Sequence, residues 1–216
     1  MRNIILIGGG ASIKEGIELG LWDKIKHEEI WAINSVFLTI PYEPSVLVWV
    51  DVEFYMHNKE RIKELKAVKL IAKEHTIYKK DKVFVNEYAI TRVKNNKDLY
   101  NVYTGGAGLT GMFALSLASR KAYHNIYLLG YDWGTPNAND KTTHYYQDDI
   151  PKLNIQSFGA GKPAVYIDKH SQPNKFVKDF EVYKDKKNIY NVSLKSHIDI
   201  FPKISYSEFF KKIERN

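Results

Sequence analysis

Short apolar runs without period-two alternation recur along the chain, and the stretches between them carry apolar residues at helical spacing. The first run, IILIG over 4–8, ends in glycines. Ser12 with Glu15 three residues on predicts a capping box, and a helix running on towards Lys26. EIWAIN (29–34) and SVLVWV (45–50) read as the next strands, the latter ending on Asp51. EFYMHNKERIKELK has helical spacing, with Phe54, Ile62 and Leu65 on or near one face, and VKLIAK and KVFVNEY read as further short strands.

LYNVY and the glycine cluster TGGAG (104–108) open the second half, before an apolar helix, MFALSLASRKAY. NIYLLGYD (125–132) is the clearest buried strand. From Trp133 to about His170 the sequence turns to loop, long enough to expect a lid or binding segment. QPNKFVKDFEVYK then reads as a helix, NIYNVS as a last strand and SYSEFFKKIER as a closing amphipathic helix.

Strands alternating with helices predict an α/β fold: one Rossmann-like domain over 1–216, with a mainly parallel sheet covered by helices on both faces and residues 133–170 as a lid-like loop. Ligands of such sheets bind beyond the carboxyl ends of the strands, where the strand order reverses. Gly8, Gly9, Gly10, Asn34, Asp51, Gly105, Gly106 and Asp132 all fall at such ends. Each alone is ordinary turn chemistry; together they mark one candidate edge.

Composition narrows the classes. With 44% hydrophobic residues among 216, a core can form and disorder is excluded. Without cysteine there is no disulfide, no thiolate zinc site and no thiol nucleophile. The N-terminal apolar run is too short for a secretory segment or a membrane span, so a cytoplasmic protein is expected. The net charge is +7, and nine Lys/Arg stand against four Asp/Glu between Lys59 and Lys82. A nucleic-acid face would use such an excess, but a solvated lysine-rich helix accounts for it more simply. The closing Phe209–Phe210 pair looks exposed and is a candidate interface for a homo-oligomer.

GGGAS (8–12) joins a strand to a helix start, where close backbone approach and free amides suit a phosphate. It has no Walker lysine, so it is not a P-loop. Gly106, Gly108 and Gly111 satisfy G-x-G-x-x-G with Asp132 ending the next strand, a dinucleotide signal; Gly111 equally serves close helix packing. Asp132 suits a ribose, a metal or the orientation of a base. HYYQDD (144–149) offers His144, Tyr145 and Tyr146 for a lid, and Asp148 and Asp149 for a cation. His170 precedes a helix and is a general-base candidate.

In this order, strand–GGGAS, AINSVF, TGGAG–helix–NIYLLGYDWG, KHSQPNKFVKDFE and a final strand ending in Ser, the chain resembles the small bacterial sialyltransferases that decorate lipooligosaccharide. Those carry GNGPSL, a CNQF-like segment, TSG, an IYLSGIDF-like strand and GHS. It is also similar to a broader group that includes MptE-like hydroxymethylpterin diphosphokinases. The resemblance implies donor contacts from Gly8, Gly9, Gly10, Ser12, Asn34, Gly105 and Gly106, Asp132 beside the nucleotide's sugar, and His170 as general base. Asp51 stands where the sialyltransferases have Asn, Gly105 where they have Ser, and Gly134 in place of a site Tyr, for which Tyr145 or Tyr146 would substitute.

The expected activity is therefore transfer from a nucleotide donor: His170 deprotonates an acceptor hydroxyl, which attacks the donor's anomeric carbon, while the loop amides and Tyr145 or Tyr146 stabilise the departing phosphate. A nucleotide sugar and a glycan or other hydroxyl acceptor are the implied partners, with peripheral membrane contact left open. Asp51 and Asp132 are candidates for Mg2+ or Mn2+, which metal-dependent diphosphate transfer would need. An NAD-type oxidoreductase and a basic nucleic-acid-binding module are the competing expectations.

Overall fold

A computed structural model describes residues 2–50, 52–71, 86–87, 110–132, 144–146 and 178–214. Seven strands form one sheet: β1 (Ile4–Ile7), β2 (Glu29–Ile33), β3 (Val46–Trp49), β4 (Val68–Ile71), β5 (Asn86–Glu87), β6 (Ile126–Leu129) and β7 (Ile189–Asn191). Their order is β5-β4-β3-β2-β1-β6-β7, and every pair is parallel. The expected α/β, Rossmann-like architecture is present.

The helices are α1 (Ile13–Glu18), α2 (Leu21–Ile25), α3 (Val52–Glu64), α4 (Thr110–Ala118) and α5 (Tyr206–Ile213). Because strand side chains alternate, the sheet feeds two cores. Ile5, Ile7, Leu47, Trp49, Tyr127 and Leu129 pack with α1, α2, α3 and α5 on one face. Ile4, Leu6, Trp31, Val48, Ile126 and Leu128 pack with α4 on the other. Both faces are covered, which is why the strands are apolar throughout rather than alternating.

Three local expectations are corrected. The helix from Ser12 towards Lys26 is two helices, because Gly20 sits at φ 80° between them. The expected capping box at Ser12 is absent, since the Ser12 hydroxyl is drawn elsewhere. The described part of the 172–184 segment is a 3₁₀ turn, Lys178–Tyr183; its buried Phe180 and Tyr183 lie three apart, the repeat of that helix.

Two further features sit at the closing helix and the opposite end of the sheet. A capping box does form at α5: the Glu208 amide donates to Ser205 Oγ (3.2 Å) and the Ser205 amide to Glu208 Oε2 (2.8 Å). At the amino edge of the sheet, buried Glu29 accepts from Trp31 Nε1 (2.9 Å) and Tyr123 Oη (2.6 Å), and Arg2 Nε lies 2.8 Å from its other oxygen. No helix among the described residues is long and apolar enough to cross a membrane.

The Phe209–Phe210 pair is also placed differently from the exposed position its sequence suggests. Phe209 is fully buried with its ring edge-on to Tyr127, centroids 4.9 Å apart, and Phe210 is buried under Lys24 Nζ. The α5 face that carries them belongs to the core. Phe209→Ala should therefore lower unfolding free energy by about 3–5 kcal/mol in urea titrations. A variant of unchanged stability but altered self-association would return the pair to an interface.

Candidate functional site

The chain builds β1 to β5 outward on one side, then returns to place β6 and β7 on the other. The order therefore reverses between β1 and β6, and the carboxyl ends of these two strands frame the crevice where such sheets bind ligands. Beyond β1, alternate amides turn towards β6. Gly8 N–H donates to the Leu129 carbonyl (2.8 Å), Gly10 N–H to the Gly130 carbonyl (2.9 Å) and Ser12 N–H to Asp132 Oδ2 (2.7 Å). The Ser12 hydroxyl donates to Asp132 Oδ1 at 2.5 Å.

This explains the glycines. A Cβ on Gly8 would stand 2.8 Å from the Gly130 oxygen, and one on Gly10 2.6 Å from that oxygen and 2.5 Å from Asp132 Oδ2. The two backbones touch too closely for side chains. It also changes what the loop offers a phosphate. The amides of Gly8, Gly10 and Ser12 are taken by the protein itself, whereas those of Gly9 and Ala11 have no acceptor among the described residues.

Over Gly9 sits the short segment 144–146. Tyr145 N–H donates to the Gly9 carbonyl (2.9 Å), and the rings of His144 and Tyr146 stack with centroids 5.1 Å apart. A Cβ on Gly9 would collide with the His144 ring and lie 3.1 Å from the Tyr146 hydroxyl. Tyr145 turns into the core, and its hydroxyl is hydrogen-bonded to that of Thr39. Of the two tyrosines expected at a departing phosphate, Tyr145 is thus committed to packing. Tyr146 keeps its hydroxyl beside Gly9.

Asn34 follows β2 at the same edge, at φ 52°, the one non-glycine residue with positive φ among those described. Its Nδ2 donates to Thr110 Oγ1 (3.3 Å) at the start of α4, and its Oδ1 is buried without a partner among the described residues. Gly111 serves packing: the Tyr131 hydroxyl donates to its carbonyl (3.0 Å), and a Cβ there would lie 3.1 Å from the Tyr131 ring.

Asp132 is the hub of the crevice. It is 6% exposed. Burial pushes its carboxyl above the ordinary aspartate value, opposed by the two Ser12 hydrogen bonds, the Ser193 hydroxyl and the charge of His197. Tyr206, at the start of α5, packs its ring against Gly16 and holds a buried hydroxyl within electrostatic reach of Asp132. That hydroxyl lies near Ser12 but without hydrogen-bond geometry. Asn34 Oδ1, Asn191 Oδ1 and Tyr206 Oη are three of the five buried side-chain atoms without a partner among the described residues. All three cluster at this edge or beside Asp132, and buried unpaired polar atoms call for a ligand or water.

Ser193, Ser196, His197 and Tyr206 are the contributors that motif reading missed. The strand-end rule applied to the short last strand would have found the first three. Asp51, Gly105, Gly106 and His170 lie outside the described residues, as do Asp148 and Asp149. Of the candidate metal pair, only Asp132 is described, and both its oxygens accept from Ser12. No group of three or more His, Asp or Glu among the described residues is arranged to hold a metal ion. No family model matches the chain, and neither a curated protein nor a solved structure matches it.

The raised Asp132 pKa has a signed consequence. The folded chain keeps its proton to higher pH than the unfolded chain, so the stabilisation it contributes is complete below the unfolded value, near 3.9. It is lost as pH rises through the folded value. Urea titrations of wild type and Asp132→Asn over pH 3.5 to 7 should show the wild type losing ground across that window, then a constant difference. A wild-type advantage that grows with pH would mean that the Ser12 bonds outweigh burial.

Proposed function

We propose that this chain is a transferase that binds a nucleotide sugar across the β1–β6 switch point and passes the sugar to an acceptor hydroxyl. The observation that carries this is the convergence at the switch point of the Gly8–Ser12 loop, the buried Asp132 and the His144–Tyr146 rings, with Asn34 Oδ1, which has no partner among the described residues, at the neighbouring strand end. Backbone amides and ring faces suit a phosphate-bearing nucleotide, and a buried carbonyl oxygen suits an N–H donor.

In this proposal the donor phosphates lie against the Gly9 and Ala11 amides, and Asn34 accepts from the nucleotide. Asp132 acts through Ser12, holding the loop in shape rather than touching the sugar. Gly105, Gly106 and Asp51 are donor contacts by resemblance alone. His170 is the general base: it takes the acceptor's proton as the acceptor oxygen attacks the anomeric carbon and the nucleotide leaves with the electron pair of the broken bond. The acceptor is a glycan or another hydroxyl compound.

The test begins with a thermal-shift screen of nucleotides and nucleotide sugars, where a donor at a hundredfold excess over its Kd should stabilise by about 2.7 kcal/mol. With the donor known, His170→Ala should lower kcat roughly a hundredfold or more and leave donor affinity unchanged. His144→Ala should mainly raise the apparent KM. Near-normal turnover in His170→Ala would remove the base, and a larger kcat loss in His144→Ala would move it to the loop.

A further inference from the structure

A third segment reaches the switch point besides the glycine loop and the aromatic cover. After β7 the chain turns at Ser193 and crosses the end of β6. Its backbone is tied there at several points. His197 N–H donates to the Asp132 carbonyl (2.8 Å), and the Ser196 hydroxyl to the Tyr131 carbonyl (2.8 Å). Asn191 Nδ2 lies 3.2 Å from the Tyr131 carbonyl and 2.8 Å from Ser196 Oγ, which accepts from the Ile198 amide at 3.0 Å. Asn191, Ser193, Ser196 and Ile198 are buried, so they account for the packing of the turn.

The side chain of His197 takes no part in this. It is exposed, has no hydrogen-bond partner among the described residues, and stands close enough for its charge to act on the Asp132 carboxylate. The hydrogen bonds of its neighbours fix the turn that carries this imidazole beside the switch point, and a ring N–H there can donate to a ligand. The departing phosphate of the proposed transfer gains charge that such a donor stabilises beside the loop amides, and of the two loop tyrosines Tyr145 is committed to Thr39.

We infer that the His197 imidazole donates a hydrogen bond to the phosphate of a nucleotide donor bound at the β1–β6 switch point, which rests on the nucleotide-sugar transfer proposed above. When the bond between the anomeric carbon and the phosphate oxygen breaks, its electron pair stays on that oxygen. The imidazole N–H holds the added charge there. The acceptor oxygen forms the new bond to carbon, and the acceptor's proton passes to the general base.

Calorimetric titration with CMP, UDP and GDP, and with cytidine, uridine and guanosine, tests this on the full chain. His197→Ala keeps the backbone N–H to Asp132, so its melting temperature should match wild type. It should weaken the bound nucleotide about tenfold or more while leaving the matching nucleoside within about twofold. His197→Gln, which retains a neutral N–H donor, should lose less. Unchanged nucleotide affinity in both variants overturns the inference and leaves the transferase proposal standing. Equal losses for nucleotide and nucleoside overturn it too, because the residue then acts on the shape of the crevice. A wild-type chain that binds none of the three nucleotides overturns both.

Discussion

The carboxylate of Asp132 takes both the amide and the hydroxyl of Ser12, and this contact joins the two strands between which the sheet reverses. Every other feature of the crevice is arranged around it. The glycines before Ser12 let β1 approach β6 until backbone meets backbone, and Gly130 supports the approach from the other side with φ 65°. The alternation of amides that follows leaves those of Gly9 and Ala11 without an acceptor among the described residues, and the His144 and Tyr146 rings lie against Gly9. Tyr206 ties the C-terminal helix to the same place through Gly16, so the last element of the chain braces the first loop.

A buried carboxylate is costly unless hydrogen-bonded, and Asp132 carries that cost at the carboxyl edge of the sheet, beside the point where the strand order reverses. The Ser12 bonds, the Ser193 hydroxyl and the charge of His197 lower the cost without cancelling it, and the carboxyl still sits above its ordinary pKa. A site with buried polar atoms that have no partner among the described residues, and with Asn34 at positive φ, departs from local consistency, which is where functional positions concentrate.

Much of this is legible in the sequence. Apolar runs ending in polar or glycine residues marked the strands and their carboxyl ends, because a parallel sheet buries both faces and its ligand edge needs turn chemistry. Gly8, Gly10 and Asp132 stand out on that ground, and they meet, with Ser12 joining them; Asn34 stands at the same edge but is hydrogen-bonded to Thr110. Partnership was not legible. Ser12 with Glu15 has the pattern of a capping box, yet Ser12 bonds a residue 120 positions away. Phe209 and Phe210 look exposed in a short lysine-rich helix, but a helix hides its apolar stripe whatever its neighbours in sequence. Ser193, Ser196 and His197 escaped because β7 spans three residues and its exit carries no glycine signal.

The central claim is that ligand phosphates meet the loop at the Gly9 and Ala11 amides. Amide chemical-shift mapping tests it most directly: 15N-labelled protein titrated with the nucleotide that stabilises it most. The account predicts the largest shifts at Gly9 and Ala11, smaller ones at Gly8, Gly10 and Ser12, and none at Glu29 or Asn125 on the opposite edge. Shifts centred on that opposite edge, or a nucleotide that binds while Gly9 and Ala11 stay unmoved, would contradict it.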